Sequence, residues 1–269
     1  NPRQWLFVGQ ASALDSNACI NAPRSLMNIT AIAQELAPQG SLRAAVNLLN
    51  FLLVSSRGPA GEPQGVGPDM ARAIADRLGV GLQLVPYETP GELADAAADH
   101  VWDIGLIGAE PARAERITFT SAYVEIEATY LVPPGSAIQS LEQVDRPGVR
   151  IAVAARSAYD LWLKRHIQHA TLVHAEGFDA TFEMFQRDGL EAMACLRPRL
   201  LTDAEKLPGS RILPGQFTTV QQSIGTHKRN TQAAAFLQQF VNEAIDSGLV
   251  ARLIEQHGIR GLSVAPRVK

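Results

Sequence analysis

Trp102-Asp103-Ile104-Gly105-Leu106-Ile107-Gly108-Ala109-Glu110-Pro111-Ala112-Arg113-Ala114-Glu115-Arg116-Ile117-Thr118-Phe119-Thr120-Ser121-Ala122-Tyr123 is the stretch on which the fold turns. Trp102 to Ile107 is a short apolar run closed by Gly108, the pattern of a strand buried in a sheet. The loop after it sets backbone N–H groups at the strand's end, where open α/β sheets bind ligands. Gly108 lets the backbone approach an anion with no side chain between them. Arg113 offers a planar fork that fits a carboxylate in a way lysine does not. Taken alone, these residues favour a plainer role for Arg113, a surface ion pair with Glu110 or Glu115.

Outward from this stretch the chain alternates strand and helix patterns. Leu42 to Leu48 reads as a strand, and a Gly/Pro turn region spans Pro59 to Pro68. A helix then runs through Leu78, with Met70, Ile74 and Leu78 at i, i+4, i+8 on one face and Gly79 as its stop. Leu82 to Val85 is a strand and Gly91 to Asp99 a helix. The rhythm repeats after the central stretch, with strands at Val149–Ala154, Thr171–Val173 and Glu191–Cys195. Ser157 caps a helix through Tyr159, Trp162 and Ile167, Phe178 to Arg187 is a helix, and another follows Pro198. Arg211–Leu213 and Thr218–Ile224 are further strands, and helices over Thr231–Asp246 and Ser247–His257 close the chain. Two βα series imply mainly parallel sheets flanked by helices, in two lobes facing a cleft.

Bulk properties narrow the function. The chain has 269 residues, 46% hydrophobic and 19% charged, which suits a globular protein with a sizeable core and excludes a disordered chain or coiled coil. With 24 basic and 27 acidic residues the net charge is −3, so nucleic-acid binding has no bulk electrostatic support. No apolar run approaches the roughly 18–20 residues needed to span a bilayer. A phosphate loop and a nucleophile elbow are absent, and Gly65-Val66-Gly67 lacks the third glycine of a dinucleotide site. No cofactor is expected. His166, His169 and His174 read as a helix terminus rather than a metal site, since no acid or cysteine stands at zinc-like spacing. Cys195 reads as part of a buried strand, with a bridge to Cys19 the less favoured alternative. Residues 1–40 show no sustained periodicity and read as an irregular leader. Arg3, Trp5 to Val8 and Ala11-Ser12-Ala13 follow the order of a secretory signal with about half the apolar length one needs.

The central stretch resembles the signature "strand, loop, Arg-x-x-x-(Ile/Val)-x-Phe-(Ser/Thr)-x-x-Tyr" of family-3 extracellular solute-binding proteins, the amino-acid-type receptors of bacterial ABC importers. Gly65 to Gly79 is similar to a second stretch of that family, with Pro68 replacing one residue of its pattern. Gly148 to Ser157 and Ser223 to Lys228 are similar to its second-lobe strand and return hinge, so the resemblance covers about 41–260 in order. It implies a two-lobed periplasmic-binding-protein type II fold. Residues 41–129 with 224–269 would form one lobe and 130–222 the other, crossing at Tyr130-Leu131-Val132-Pro133 and Thr219-Val220-Gln221-Gln222. It also implies a periplasmic monomer, an ABC permease as partner, and a small carboxylate-bearing ligand held by Arg113, Gly108 and Ser157.

The departures from the family pattern bear on the ligand. In amino-acid receptors of this kind, an acid after the first strand and another after a second-lobe strand hold the ligand ammonium. The first position falls at Asn47, which cannot neutralise a cation. The second falls at Leu196 or Arg197, and an arginine there would attract an anion instead. Asn50 displaces the usual aromatic, and Tyr87 is the nearest counterpart of the other stacking residue. The resemblance therefore implies a ligand without a free α-ammonium, in a site drawn from Asn47, Asn50, Tyr87, Gly108, Arg113, Ser157 and Arg197. Two alternatives stand beside an importer receptor. One is an enzyme resembling the cyclohexadienyl dehydratases, which needs a general acid that no residue plainly supplies. The other is the ligand-sensing module of a larger receptor.

Overall fold

The computed structural model describes residues 28–267 and the backbone of Trp5–Phe7. One continuous sheet runs through the molecule. From one edge its strands are Trp5–Phe7, Gly81–Tyr87, Ser41–Asn47, Ile104–Gly108, Thr218–His227, Val124–Val132, Ala192–Leu196, Arg150–Ala154 and Thr171–Ala175. Gly81–Tyr87, Ser41–Asn47 and Ile104–Gly108 are mutually parallel and form one wing. Ala192–Leu196, Arg150–Ala154 and Thr171–Ala175 form a second parallel wing. Between them lie Thr218–His227 and Val124–Val132, antiparallel to each other and to their wing neighbours. The βα rhythm predicts the parallel wings. The two long central strands, which tie the wings together, carry no such rhythm of their own.

Each wing has its own core because each parallel strand must cover two faces. In the first, Leu42, Ala44, Val46, Leu84 and Leu106 pack against Met70, Ile74 and Leu78 of the helix Val66–Leu78 and against Phe236, Leu237 and Val241 of the helix Thr231–Asp246. Gly79 ends the former helix in the left-handed region (φ 68°), which a glycine enters without the Cβ penalty. The opposite face is covered by Leu93, Trp102 and Ile117. In the second wing, Ile151, Val153, Met193 and Cys195 pack against Leu163, Phe182, Phe185 and Leu200 from three helices. Each such buried side chain contributes about 1.5–3 kcal/mol.

Residues 29–36, expected within an irregular leader, form a helix, Ile29–Leu36. Asn28 caps it, its side chain accepting from the Ala31 N–H at 3.1 Å, and Ile32 and Leu36 are buried in the first core. Two turns give only one i, i+4 apolar pair, too short a run for periodicity to register. Trp5–Phe7, also assigned to the leader, pairs antiparallel with Gly81–Tyr87. Cys19 lies outside the described residues. Cys195 is a free, buried cysteine, and burial pushes its thiol up to about 12.

Candidate functional site

The C-terminal ends of the parallel strands in both wings, with the turns that follow, bring Asn47, Gly108, Ser157 and Leu196 to one cleft. Arg113 sits in the short helix Pro111–Ala114 that follows Gly108, and it is only 6% exposed. Its guanidinium donates to the Gly108 carbonyl at 2.7 Å and to the Arg156 carbonyl of the second wing at 2.9 Å. Burial lowers its pKa to about 10, with Glu110 opposing that shift and Arg156 adding to it. It therefore remains a cation at neutral pH. Both its hydrogen-bonding partners are neutral carbonyls, so the site holds a buried positive charge whose natural complement is an anion. Gly108 is needed as glycine. A Cβ there would stand 3.0 Å from the Ala158 Cβ and 3.1 Å from Val220, in the space between the wings.

The second wing's half of the cleft is a strand-to-helix turn. Ser157 caps the helix Ala158–His166, its hydroxyl accepting from the Asp160 N–H at 3.1 Å. Asp160 is fully buried and holds the turn from behind. Its carboxylate accepts from the Arg156 N–H at 2.8 Å, and Lys164 and His174 each lie 2.8 Å from it. Arg156 has φ 59°, a conformation that non-glycine residues seldom adopt, and the bond from its N–H to Asp160 helps to hold it there. That conformation aims the Arg156 carbonyl at Arg113.

The rest of the lining is mostly apolar: Leu49, Pro90, Ala158, Tyr159, Phe178, Leu196 and Val220, with Asn50 and Gln222 as polar members. Asn47 and Asn50 each spend their side-chain oxygen on a backbone N–H, that of Leu49 at 3.1 Å and of Leu52 at 3.3 Å. Their amide N–H groups are thereby left to donate. The cavity between the wings measures about 30 Å³ here, room for only a water or two. The wings also touch outside it. Arg165 stands 2.7 Å from Glu110 in a charge pair misaligned for a hydrogen bond, and Arg156 bonds Asp95 at 2.7 Å.

Five of the seven residues singled out in the sequence thus share the cleft: Asn47, Asn50, Gly108, Arg113 and Ser157. Arg197 does not. It opens the helix Arg197–Lys206 and turns outward, paired with Glu127 and the Gly215 carbonyl, while Leu196 faces the cleft. Side chains alternate along a strand, so a one-residue slip in placing the end of Ala192–Leu196 exchanges an arginine for a leucine. Tyr87 also lies elsewhere. It is paired in register with Asn47 but packs with the cluster of Leu93 and Trp102 on the other face of the first wing. Arg156, Asp160, Gln222, Tyr159 and Phe178 escaped sequence reading. Only Asp160 left a signal, standing three residues after a serine cap.

Similar proteins carry the same architecture. A cyclohexadienyl dehydratase from Pseudomonas aeruginosa is 24% identical over 271 residues, covering 94% of this chain and 95% of that protein. The structure of an amino acid ABC transporter substrate-binding protein from Streptococcus pneumoniae bound to L-arginine is 20% identical, with a TM-score of 0.67 over 88% of this chain and 99% of that one. An ancestral amino acid-binding protein, a precursor of cyclohexadienyl dehydratase, is 21% identical with a TM-score of 0.68, over 84% of this chain and 98% of its own. These likenesses establish the two-lobed fold. Residues 50–259 match the family model of the bacterial extracellular solute-binding proteins, family 3, and the chain belongs to that family.

Proposed function

We propose that this protein is the receptor of an ABC importer, acting in the periplasm as a monomer, and that it closes two hinged lobes on a small carboxylate-bearing molecule. The lobes are residues 41–129 with 224–269, extended by the helix Ile29–Leu36, and residues 130–222. The observation that carries this reading is Arg113, a buried cation at the meeting of the two wings whose hydrogen-bond partners are neutral carbonyls. A ligand carboxylate replacing the Arg156 carbonyl would bond the guanidinium, with the Ser157 hydroxyl and helix N-terminus facing it from the other lobe. Contacts to both lobes favour the closed state over the open one, which is what couples capture to closure. Arg113→Ala should cost about 2–5 kcal/mol of carboxylate binding by calorimetry. Binding within threefold of the unsubstituted protein would remove Arg113 from the site.

The dehydratase relative keeps a second reading in view. Eliminating a hydroxyl calls for a proton donor beside the leaving group. Among the described residues the cleft lining holds no Asp, Glu or His, and burial raises the Tyr159 hydroxyl well above its usual range, making it a poor acid. Binding is therefore the better supported reading. Turnover of a cyclohexadienyl substrate, lost in Tyr159→Phe, would reverse that choice.

A further inference from the structure

The hydrogen-bonding character of the cleft narrows the ligand beyond "carboxylate". Resting on the receptor reading above, we infer that the site is built for a monocarboxylate with an oxo or hydroxyl oxygen in place of an amine and with an apolar tail, the 2-oxo acids of branched or aromatic skeleton being the nearest chemical class. The polar groups facing the cleft are chiefly donors. Arg113 donates through its guanidinium, and the Asn47 and Asn50 side-chain oxygens are each already bonded to a backbone N–H. Their amide nitrogens have no partner among the described residues, and the Gln222 side-chain amide, likewise unpartnered, offers one donor group and one acceptor. A carboxylate and a neighbouring oxo group accept only, so they match this set. An ammonium brings three donors and a charge, and the lining offers it neutral amides, a hydroxyl and Leu196 but, among the described residues, no carboxylate to balance the charge.

Four acids near the cleft are engaged elsewhere, and Glu176, just before Phe178, is exposed and does not line the cavity. Glu110 pairs with Arg165, and Asp160 with Arg156 N–H, Lys164 and His174. Glu125 accepts from Gln221, and Glu127 from Arg197. None of them lines the cavity. The tail follows from the walls. Leu49, Phe178, Leu196 and Val220 line the same space, and among the described residues Arg113 is the one cation in the lining. With Arg197 turned outward, a second carboxylate would be desolvated without a partner. A dicarboxylate is disfavoured on that ground.

Calorimetry on matched pairs tests this with the intact chain: 4-methyl-2-oxopentanoate against leucine, phenylpyruvate against phenylalanine, and 2-oxoglutarate against glutamate. The oxo acid should bind at least tenfold tighter in the first two pairs, and 4-methyl-2-oxopentanoate at least tenfold tighter than 2-oxoglutarate. Leu196→Asp should narrow or reverse the leucine pair by supplying the missing counter-charge. Should that variant fail to fold, the three wild-type pairs still decide the matter. Amino forms binding equally or more tightly would overturn this inference while leaving a carboxylate receptor intact. Glutamate or 2-oxoglutarate binding tightest would overturn the apolar-tail half alone. Absence of heat and of thermal stabilisation with every member would overturn the receptor reading itself.

Discussion

Asp160 shows how much of the cleft is decided by one side chain that never reaches it. Removing its carboxylate frees the Arg156 N–H and leaves Arg156 in the left-handed region without its hydrogen bond. A buried donor without a partner costs about 1–3 kcal/mol. Asp160→Ala should therefore lose stability of that order in urea denaturation and also weaken carboxylate binding, because the turn carrying Ser157 relaxes. Lys164 and His174 are partly exposed and return to water, so they add little to the loss. Retained affinity in a destabilised variant would confine Asp160 to the fold. Arg113 was legible through the resemblance of its stretch to the family-3 signature; taken alone, its neighbours favoured a surface ion pair. Asp160 was barely so, since its importance comes from groups 4 to 14 residues away that only the fold assembles.

Among the elements, the strand Thr218–His227 meets Ile104–Gly108 at one end and Val124–Val132 at the other. His227 at its end is buried, stacked on Trp102 at 4.8 Å, with Nε2 donating to the Trp102 carbonyl at 2.6 Å. Its Nδ1 lies 3.3 Å from the Nδ1 of His100, and Arg229 and Asp103 are the other charged groups acting on it. Burial foremost holds its pKa below the usual histidine value, with His100 and Arg229 adding to the shift and the bond to Trp102 opposing it. A histidine depressed in this way is neutral when folded, so its stabilisation is complete above about pH 6.5 and is lost as pH falls through the lower folded value. The melting temperature should accordingly drop below about pH 6.5, and His227→Gln should flatten that drop; an unchanged slope would exonerate His227. At this scale most strands and helices could be read from the chain, as apolar runs and i, i+4 faces announce them. The helix Ile29–Leu36 could not, being two turns long, and the partner strand Val124–Val132 went unread although Val124-Glu125-Ile126-Glu127-Ala128 alternates apolar and acidic residues, because it gives way to a fully buried run from Ala128 to Val132.

Across the whole molecule, several contacts join the two sides of the cleft directly. Arg113 reaches the Arg156 carbonyl, Arg165 faces Glu110, Arg156 faces Asp95, and Phe51 meets Phe178 edge-on at 6.0 Å. The Arg156–Asp95 pair is half exposed or more and contributes little. Glu110 is only 10% exposed, so its pair with Arg165 is the better electrostatic latch. Glu110→Gln should shift the empty protein toward open forms, seen as a larger radius of gyration in small-angle scattering, and should weaken ligand binding a few-fold. An unchanged radius would show that the aromatic and backbone contacts suffice to hold the lobes together.

On the receptor reading proposed above, the Arg156 carbonyl on the Arg113 guanidinium would bear on how long a captured molecule stays. A carboxylate leaving this cation would ordinarily strand a buried charge, and that cost would slow its escape. Here a tethered oxygen from the opposite lobe stands ready to take each vacated hydrogen bond, at the high effective concentration that tethering confers. Loading and unloading become an exchange of one oxygen for another. On the proposed receptor reading the barrier to release would be lowered, with some affinity given up because the carbonyl competes with the ligand for the same cation.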